Sequence, residues 1–423
     1  MVFTCLILIF FFIKIFKTYP FTNHREMRSI FALLFLVFIS FKTQAQTTHI
    51  VDNNDNGIGD FSTLSAAISA ASSGDILLLV PSVDSYGDLT VSSTGKQLTI
   101  AGGGANGGDA STTLLGAVKL EGGNTANTNL DGFVLGGFVC KSVDVNFVDN
   151  VKIKAVRTTE VITSTTAHIR IRNSENAELE YFSSGSIQFN TTPGLKVFHG
   201  IVYEATGAAI LDIASTDNFI ISNCAFNAIY SGSINSGTTW LNIDDNSVGN
   251  LVQNIVGANN KVSRGVNFGP HTNITNTIFL AVHLSGGEQG KMVLSGGSSF
   301  QNNTFFVGSY GGFTNNTTGG ILTISSTEDE DHNILSNPSI IDYISFKLPE
   351  NSTAKDSGSG NDLDGTVANR GIYGGLDPMP EEVPSIAIGV SVVPTISKLR
   401  LSQPTAVTGG KVILKVTGKA KKN

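Results

Sequence analysis

The fold is decided by a phrase that reads Asn150-Val151-Lys152-Ile153 and returns as Asn176-Ala177-Glu178-Leu179, Gly194-Leu195-Lys196-Val197 and Asn218-Phe219-Ile220-Ile221. It recurs at Asn250-Leu251-Val252, at Asn273-Ile274 and, more loosely, at Ser299-Phe300. Each time a polar residue or glycine precedes a short apolar run, and no helical period is present. Repeats of roughly 20–30 residues leave room for about three short strands and their turns. The repeat therefore predicts an all-β solenoid, a parallel β-helix.

Composition agrees with this prediction. The 423 residues include 46 glycines, and only 14% of the residues are charged. Such a chain favours strands and tight turns over surface helices. We expect one long solenoid over residues 47–380, followed by a β-rich C-terminal tail over residues 381–423. That tail is too short for an independent domain, and we expect it to pack on the solenoid end or to belong to an anchoring segment.

The pattern of residues 1–46 indicates that the residues before Met27 are an over-extended start and that Met27 begins a secretory signal peptide. A basic Met27-Arg28-Ser29 precedes the apolar run from Ile30 to Phe41, and Thr43-Gln44-Ala45 forms a small-residue cleavage site. A membrane anchor is the alternative, but neither apolar run reaches the roughly 20 residues that a spanning helix needs. The sequence therefore predicts a secreted or cell-surface protein.

Charge limits the partners of the exported chain. Residues 1–46 carry five basic residues and one acidic residue, so the remainder has 22 basic and 33 acidic residues and a net charge of −11. An acidic protein is a poor ligand for nucleic acid or anionic lipid. We expect no nucleic-acid partner, contact with a membrane only through export or anchoring, and a monomer. Cys140 and Cys224 lie several coils apart and are expected to be buried and unbridged.

A short amphipathic helix is predicted before the first coils. Leu64, Ala67, Ile68 and Ala71 fall on one helical face, with Ser62 available to cap its start and Gly74 to end it. Such a helix caps the apolar end of a solenoid. The pattern Phe-x-x-Leu-x-x-Ala-Ile-x-x-Ala, then Gly-Asp-x-Leu-x-Leu, resembles the opening of pectin-lyase-like right-handed parallel β-helix proteins. The resemblance implies their fold, whose members include lyases, hydrolases and inert structural proteins.

A second resemblance lies near the other end. The run from Ala354 to Gly365, followed by Asn369-Arg370-Gly371-Ile372-Tyr373-Gly374-Gly375, is similar to the segment that ends many bacterial surface β-helix proteins of the choice-of-anchor Q type. Ile372 stands where that pattern has alanine, and Gly374 stands where it has an acidic residue. The resemblance implies export and surface display.

The candidate chemistry lies in a cluster of basic residues. Strand alternation places His168, Arg170 and Arg172 on one face. Candidate binding residues around this cluster are Lys152, Lys154, His168, Arg170, Arg172 and Tyr181, and the candidate catalytic residues are Lys154, Arg170 and Arg172. Lyases of this fold class abstract a proton next to a uronate carboxylate with a basic side chain. The alternative is a structural ladder in which Arg170 and Arg172 pair with Glu178 and Glu180.

Other motifs give weaker indications of function. Asp244-Asp245 is similar to the paired aspartates of β-helix hydrolases, but no Gly-His-Gly or Arg-Ile-Lys phrase follows, and Phe198-His199-Gly200 is only a near match. No organic cofactor is expected. One candidate Ca²⁺ site is formed by Asp52, Asp55 and Asp60. A series of four asparagines in successive coils predicts a ladder that satisfies backbone groups: Asn223, Asn254, Asn276 and Asn302.

Two hypotheses stay open on the sequence alone. The first is an exported, non-catalytic β-helix with a structural, adhesive or glycan-binding role. The second is a polysaccharide lyase that acts on an anionic, uronate-containing polymer by β-elimination. An open groove lined by arginine, lysine and Tyr181 favours the lyase, whereas a flat face of paired charges favours the first hypothesis.

Overall fold

The computed structural model covers the solenoid with gaps. It describes residues 46–54, 59–103, 113–124, 129–159, 168–202, 209–227, 239–243, 250–253, 256–259, 266–268, 272–281, 292–294, 299–307, 331–332, 334–335 and 347–379. The chain divides into two units, Met1–Gln46 and Thr47–Asn423. Residues 1–45 of the predicted N-terminal segment and the predicted tail over residues 381–423 lie outside the described residues. Within the described ranges, no helix is long and apolar enough to cross a membrane.

The described elements are one helix and a long series of short strands. The helix is α1 (Leu64–Ala70). The strands, in chain order, are β1 (Thr48–Val51), β2 (Ile76–Leu79), β3 (Leu89–Ser92), β4 (Thr99–Gly102), β5 (Val118–Glu121), β6 (Val134–Cys140), β7 (Val143–Asn146), β8 (Lys152–Thr158), β9 (Ile169–Arg172), β10 (Glu178–Ser184), β11 (Ile187–Asn190), β12 (Lys196–Phe198), β13 (Ile201–Val202), β14 (Ala209–Ala214), β15 (Ile220–Ser222), β16 (Ala225–Asn227), β17 (Thr239–Ile243), β18 (Asn250–Gln253), β19 (Val256–Asn259), β20 (Val266–Phe268), β21 (Thr272–Thr275), β22 (Ile278–Ala281), β23 (Met292–Leu294), β24 (Ser299–Gln301), β25 (Thr304–Val307) and β26 (Ile334–Leu335).

These strands form two sheets in which every described strand pairing is parallel. Sheet 2 contains nine strands, β3, β5, β7, β9, β11, β14, β17, β20 and β23, and sheet 1 contains the other seventeen. Each strand pairs with the strand one coil away: in sheet 1, β8 pairs with β6 on one side and with β10 on the other. Purely parallel stacking of strands from successive coils is the geometry of a solenoid. The chain folds as a parallel β-helix, as the repeat predicts.

Helix α1 covers the first coil. Leu64, Ala67 and Ala71 are buried against it, which confirms the predicted apolar face. The predicted cap is wrong by one residue: Thr63, in extended conformation, accepts the N–H of Ala66 at 3.3 Å. Thr63 is the residue that directly precedes the helical backbone, and only from that position does a hydroxyl reach the free N–H groups of the first turn. The helix also ends before Gly74, because the backbone at Ala71 is already extended.

Left-handed residues close the corner between sheet 2 and sheet 1. Five residues form this turn in four successive coils, and the first and fourth have positive φ, as in Asn173 (50°) and Asn176 (53°). The N–H of Asn176 donates to the carbonyl of Pro193 in the next coil at 2.8 Å. The equivalent pairs are Phe147 and Asn150, Thr191 and Gly194, and Ser215 and Asn218. Asparagine and glycine tolerate this conformation best, which explains why the repeated phrase begins with them.

A second left-handed corner bends sheet 1 itself. Asn223, Asn276 and Asn302 all have φ between 51° and 56°. Their N–H groups donate to Gln253, Gln301 and Asp331 of the following coils. The predicted asparagine ladder is therefore confirmed at these three residues, while Asn254 lies outside the described ones. In the earlier coils the same corner carries Gly137, Ala155, Tyr181 and His199.

The interior is filled by apolar side chains from both sheets. Phe133, Phe138, Phe182, Phe189 and Phe219 are fully buried. Cys140 and Cys224 are buried and unbridged, as predicted. Burial raises the pKa of both thiols, that of Cys224 to about 12. A buried neutral thiol acts as a small apolar group, so neither cysteine is poised for reaction.

Residues 347–379, here called the C-terminal segment, run along the second corner. Arg370 is almost fully buried, with 1% of its surface exposed. Its Nη1 donates to the carbonyl of Asn303 (3.0 Å) and the hydroxyl of Thr304 (3.2 Å), and its Nε and Nη2 donate to the carbonyl of Ser357 (2.9 and 2.8 Å). One guanidinium thus ties the C-terminal segment to the coil that ends with β25.

Ladder residues hold the rest of the C-terminal segment. Asn276 donates to the carbonyl of Ser359 (3.0 Å) and accepts its N–H (2.7 Å). Asn223 donates to the carbonyls of Ile372 (3.0 Å) and Gly374 (2.8 Å). At Gly374 a Cβ would lie 1.9 Å from the carbonyl oxygen of Asn369, so this position excludes any side chain. The departure from the acidic residue of the anchor pattern therefore has a steric cause. Membership of that anchor class stays a prediction.

Candidate functional site

Sheet 2 carries a compact charged group on its outer face, here called the Asp144 cluster, made of Asp144, Arg170 and Arg172. The strand register places Asp144 of β7 directly beside Arg170 of β9. Arg170 donates twice to Asp144, from Nε (3.1 Å) and from Nη2 (2.6 Å), and Arg172 donates from Nη2 at 3.2 Å. All three side chains are between 24% and 30% exposed. One carboxylate therefore serves two guanidinium groups on a partly solvated surface.

The ion pairs shift the ionisation of this cluster. Burial alone would raise the pKa of Asp144, but the hydrogen bonds and charges of Arg170 and Arg172 outweigh it and hold that pKa below its ordinary value. Hydrogen bonds to Asp144 hold the pKa of Arg170 above its ordinary value. Both partners are thus fully charged at neutral pH.

Polar side chains extend the Asp144 cluster along the solenoid axis. The outer positions beside Arg172 are Asn146 in the preceding coil and Asn190 in the following one. Asn146 donates to Glu121 at 2.6 Å and accepts Nδ2 of Asn173 at 2.9 Å. Neighbouring strands lie about 4.8 Å apart, so Arg172 and Asn190 form a polar row on the outer face, at whose end Asn146 is buried.

Sheet 1 carries a second charged group, here called the Lys154 cluster, made of Lys152, Lys154, Glu178 and Glu180. Lys154 contacts Glu178 at 2.8 Å and also pairs with Glu180, while Lys152 lies 3.4 Å from Glu178. Burial would lower the pKa of Lys154, but its hydrogen bonds to Glu178 and Glu180 outweigh that effect and raise it. The same ion pairs hold the pKa of Glu178 below its ordinary value. This cluster is a salt-bridged ladder.

The structure separates the predicted basic residues. Lys152 and Lys154 lie in β8 of sheet 1, whereas Arg170 and Arg172 lie in β9 of sheet 2. The predicted pairing of the arginines with Glu178 and Glu180 is therefore wrong, because those glutamates lie on the other sheet and bind the lysines. A coil has several faces, and residues that are close in sequence within one coil point away from the axis in different directions.

His168 and Tyr181 do not line an open surface. His168 directly precedes β9 and is only 7% exposed, so alternation from Arg170 does not extend to it. Tyr181 is 9% exposed because its backbone is left-handed (φ 52°), and its ring stacks on that of His199 at 4.8 Å. Nε2 of His199 donates to the carbonyl of Asp377 at 2.9 Å. The stacked rings of Tyr181 and His199 therefore connect the second left-handed corner to the C-terminal segment.

The hydrolase-like motifs have structural roles or lie outside the described residues. In Phe198-His199-Gly200, a Cβ on Gly200 would lie 1.9 Å from the ring of Phe182. Glycine is therefore dictated by the core, and His199 is fixed as described above. Asp244 and Asp245 lie outside the described residues.

The candidate Ca²⁺ residues are only partly described. Asp52 is buried and accepts the backbone N–H and the side-chain amide of Asn54 at 2.9 and 2.7 Å. Asp60 is exposed and accepts the N–H of Ile50 at 2.8 Å. Asp55 lies outside the described residues. Within the described ranges, no group of three His, Cys, Asp or Glu side chains could hold a metal ion.

Sequence reasoning missed the residue that organises sheet 2. Asp144 lies in Val143-Asp144-Val145-Asn146, a strictly alternating segment whose valines are buried. That alternation was a usable signal for an outward carboxylate. The pairing of Asp144 with Arg170 could not be predicted, because the register depends on the number of residues between β7 and β9.

No protein-family model and no curated protein matches the chain. Among solved structures, the chain is similar to pectate lyase Pel9A, at 15% identity over 77% of this chain and 95% of that chain, with a TM-score of 0.45. It is also similar to pectin methylesterase in complex with hexasaccharide VII, at 12% identity, over 68% of this chain and 93% of that one, with a TM-score of 0.26. A mutant of pectin methylesterase in complex with hexasaccharide IV is similar at 12% identity, over 74% of this chain and 97% of that chain, with a TM-score of 0.23.

These similarities concern the fold alone. The predicted parallel β-helix is confirmed by the parallel pairing of the described strands. Neither the charged clusters nor an activity is assigned by these comparisons.

Proposed function

We propose that the protein is an exported, non-catalytic parallel β-helix that contacts polysaccharide at the cell surface or in the extracellular space. The outer face of sheet 2 is the proposed contact surface. The signal-like start of the chain and the anchor-like pattern near its other end support export.

The observation that carries the proposal is the pairing of the candidate cations. A catalytic base must lose its proton near the working pH. Lys154 is hydrogen-bonded to two glutamates and Arg170 to Asp144, and both pairings raise the pKa of the cation. Each cation is thus held in the protonated state, which suits a binding surface and opposes proton abstraction.

The polar row on sheet 2 supports polysaccharide as the partner. Arg170 and Arg172 lie two positions apart in β9, and Asn190 of β11 lies beside Arg172, so planar donors and acceptors from two coils share the outer face of sheet 2. The arginines are held in place by Asp144, so little side-chain entropy is lost when a ligand binds. An extended polymer can lie along several coils at once, which adds weak contacts together.

A lyase remains the second candidate function. The one observation in its favour is that five basic residues, Lys152, Lys154, Arg157, Arg170 and Arg172, lie within β8 and β9. Opposed to it are their division between two sheets and the burial of Tyr181.

The test offers the purified protein to pectate, alginate and glycosaminoglycan polymers, with and without Ca²⁺. Retention on the immobilised polymer and ultraviolet absorbance from unsaturated sugar ends are measured together. We expect retention without absorbance. The Asp144→Asn, Arg170→Gln, Arg172→Gln triple variant leaves no stranded charge and should lose retention at least about tenfold.

Lys196→Gln is the matched control, because Lys196 is an exposed cation on sheet 1. It should bind like the unmodified protein. Absorbance that rises with time and disappears in Lys154→Gln would establish a lyase. Equal retention of the triple variant and the control would remove sheet 2 as the contact surface.

A further inference from the structure

The loop after β1 contains a buried carboxylate oxygen without a partner. Asp52 is 3% exposed. Its Oδ1 accepts two hydrogen bonds from Asn54, whereas its Oδ2 is buried and accepts none. No cation pairs with Asp52 among the described residues. A buried charge that lacks a partner is costly, so folded proteins pair such groups or bind an ion there.

The next residue repeats the pattern. Asn53 donates its Nδ2 to the carbonyl of Asp84 at 3.0 Å, and its N–H contacts the hydroxyl of Tyr86 at 3.4 Å. Its Oδ1 is buried and has no hydrogen-bond partner. Two consecutive residues thus each bury an acceptor oxygen to which no N–H or O–H group donates.

Oxygen atoms without donors are the ligands that Ca²⁺ requires. Ca²⁺ binds six to eight oxygens from carboxylates, amide carbonyls, backbone carbonyls and water. Asp52, Asn54 and Asp60 also have the spacing of positions 1, 3 and 9 of an EF-hand loop. Position 12 is taken by Thr63, whose hydroxyl caps α1, so any such site departs from an EF-hand.

We propose that Asp52 and Asn53, which directly follow β1, bind one Ca²⁺ ion, with Asp52 Oδ2 as the anionic ligand and Asn53 Oδ1 as a neutral one. Because one of these two ligands is a carboxylate and the other is neutral, we expect weak binding that is filled at the millimolar Ca²⁺ of extracellular fluids. The ion would fix β1 to the loop between β2 and β3, where Asp84 and Tyr86 lie. The proposal does not depend on the proposed polysaccharide contact.

Terbium luminescence tests the site directly, since Tb³⁺ replaces Ca²⁺ and is excited by a nearby tyrosine. Tyr86 contacts the N–H of Asn53 and is therefore the expected antenna. We expect sensitised emission from the purified protein that Ca²⁺ reverses by competition. Asp52→Asn should weaken Tb³⁺ and Ca²⁺ binding by at least about 100-fold. Asp84→Asn, which changes a neighbouring exposed carboxylate, should leave both unchanged.

Thermal unfolding gives an independent readout. Ca²⁺ should raise the melting temperature of the unmodified protein and of Tyr86→Phe, in which the antenna is lost but the site is kept. Without Ca²⁺, Asp52→Asn should melt no lower than the unmodified protein, because asparagine keeps an acceptor oxygen for Asn54 and carries no carboxylate oxygen without a donor. A lower melting temperature of Asp52→Asn with and without Ca²⁺, together with emission equal to that of the unmodified protein, would show a purely structural Asp52 and overturn the proposal.

Discussion

Replacing Arg370 by alanine should release the C-terminal segment from the coils. The guanidinium donates to two carbonyls, those of Ser357 and Asn303, and to the hydroxyl of Thr304. The carbonyl of Ser357 would lose both of its donors, which costs about 1–3 kcal/mol. The carbonyl of Asn303 keeps the N–H of Ile334 and loses one hydrogen bond from a charged group, worth about 1.5–3 kcal/mol, so the total is roughly 4 kcal/mol. The cost falls on the docking of the C-terminal segment, because a solenoid is stabilised locally, coil by coil.

Hydrogen exchange measures this loss where it occurs. The N–H of Gly371 donates to the carbonyl of Asn276 and reports whether the segment is docked. A loss of roughly 4 kcal/mol corresponds to exchange about 1000-fold faster at this amide. Lys355→Ala is the control, because Lys355 forms only an exposed ion pair with Glu350 in the same segment. Unchanged exchange at Gly371 in Arg370→Ala would refute the assignment of Arg370 as the residue that holds the segment.

Two further predictions concern the ladder and the Asp144 cluster. Asn223→Ala should destabilise the docked segment by roughly 3 kcal/mol, since the carbonyl of Gly374 loses its donor, that of Ile372 keeps only the N–H of Met379, and alanine resists φ 53°. Asn223→Gly should recover the backbone part of this loss, and denaturant unfolding of both variants separates the two contributions. Because the pKa of Asp144 is lowered in the fold, its contribution to stability is present above about pH 4 and is lost as the pH falls through the folded pKa. Melting curves between pH 2 and 7 should therefore fall less steeply in acid for Asp144→Asn, and an unchanged slope would contradict the pairing with Arg170.

Most of the solenoid could be predicted from the sequence because its corners require particular residues. Asn150, Asn176 and Asn218 begin the repeated phrase, and each is left-handed in the structure. The phrase loses register in the later coils. It aligns Leu251 with Phe219, whereas the structure pairs Leu251 with Ile220. Asparagine inside a strand and asparagine at a corner look alike in sequence, so the pattern alone cannot place every coil.

The candidate site was harder to predict than the fold. Alternation correctly turned Arg170 and Arg172 outward. It could not show that Lys154 and Arg170 belong to different sheets, because the chain changes sheet between the end of β8 at Thr158 and the start of β9 at Ile169, and alternation within a strand does not report that change. Tyr181 was misjudged because its left-handed corner (φ 52°) falls on a residue with no turn preference. Pairing of charges between coils depends on loop lengths, which local preferences do not reveal.

The five-residue corner between sheet 2 and sheet 1 bears on how such a protein can change over evolution. Asn146 precedes Lys152 by the same interval as Arg172 precedes Glu178, although the coils differ in length. The difference is absorbed where sheet 1 returns to sheet 2: β8 ends at Thr158 and β9 begins at Ile169, whereas β10 ends at Ser184 and β11 begins at Ile187. In these four coils, insertions and deletions should therefore accumulate along that edge, and foreign peptides grafted there should leave the stacking of the coils intact.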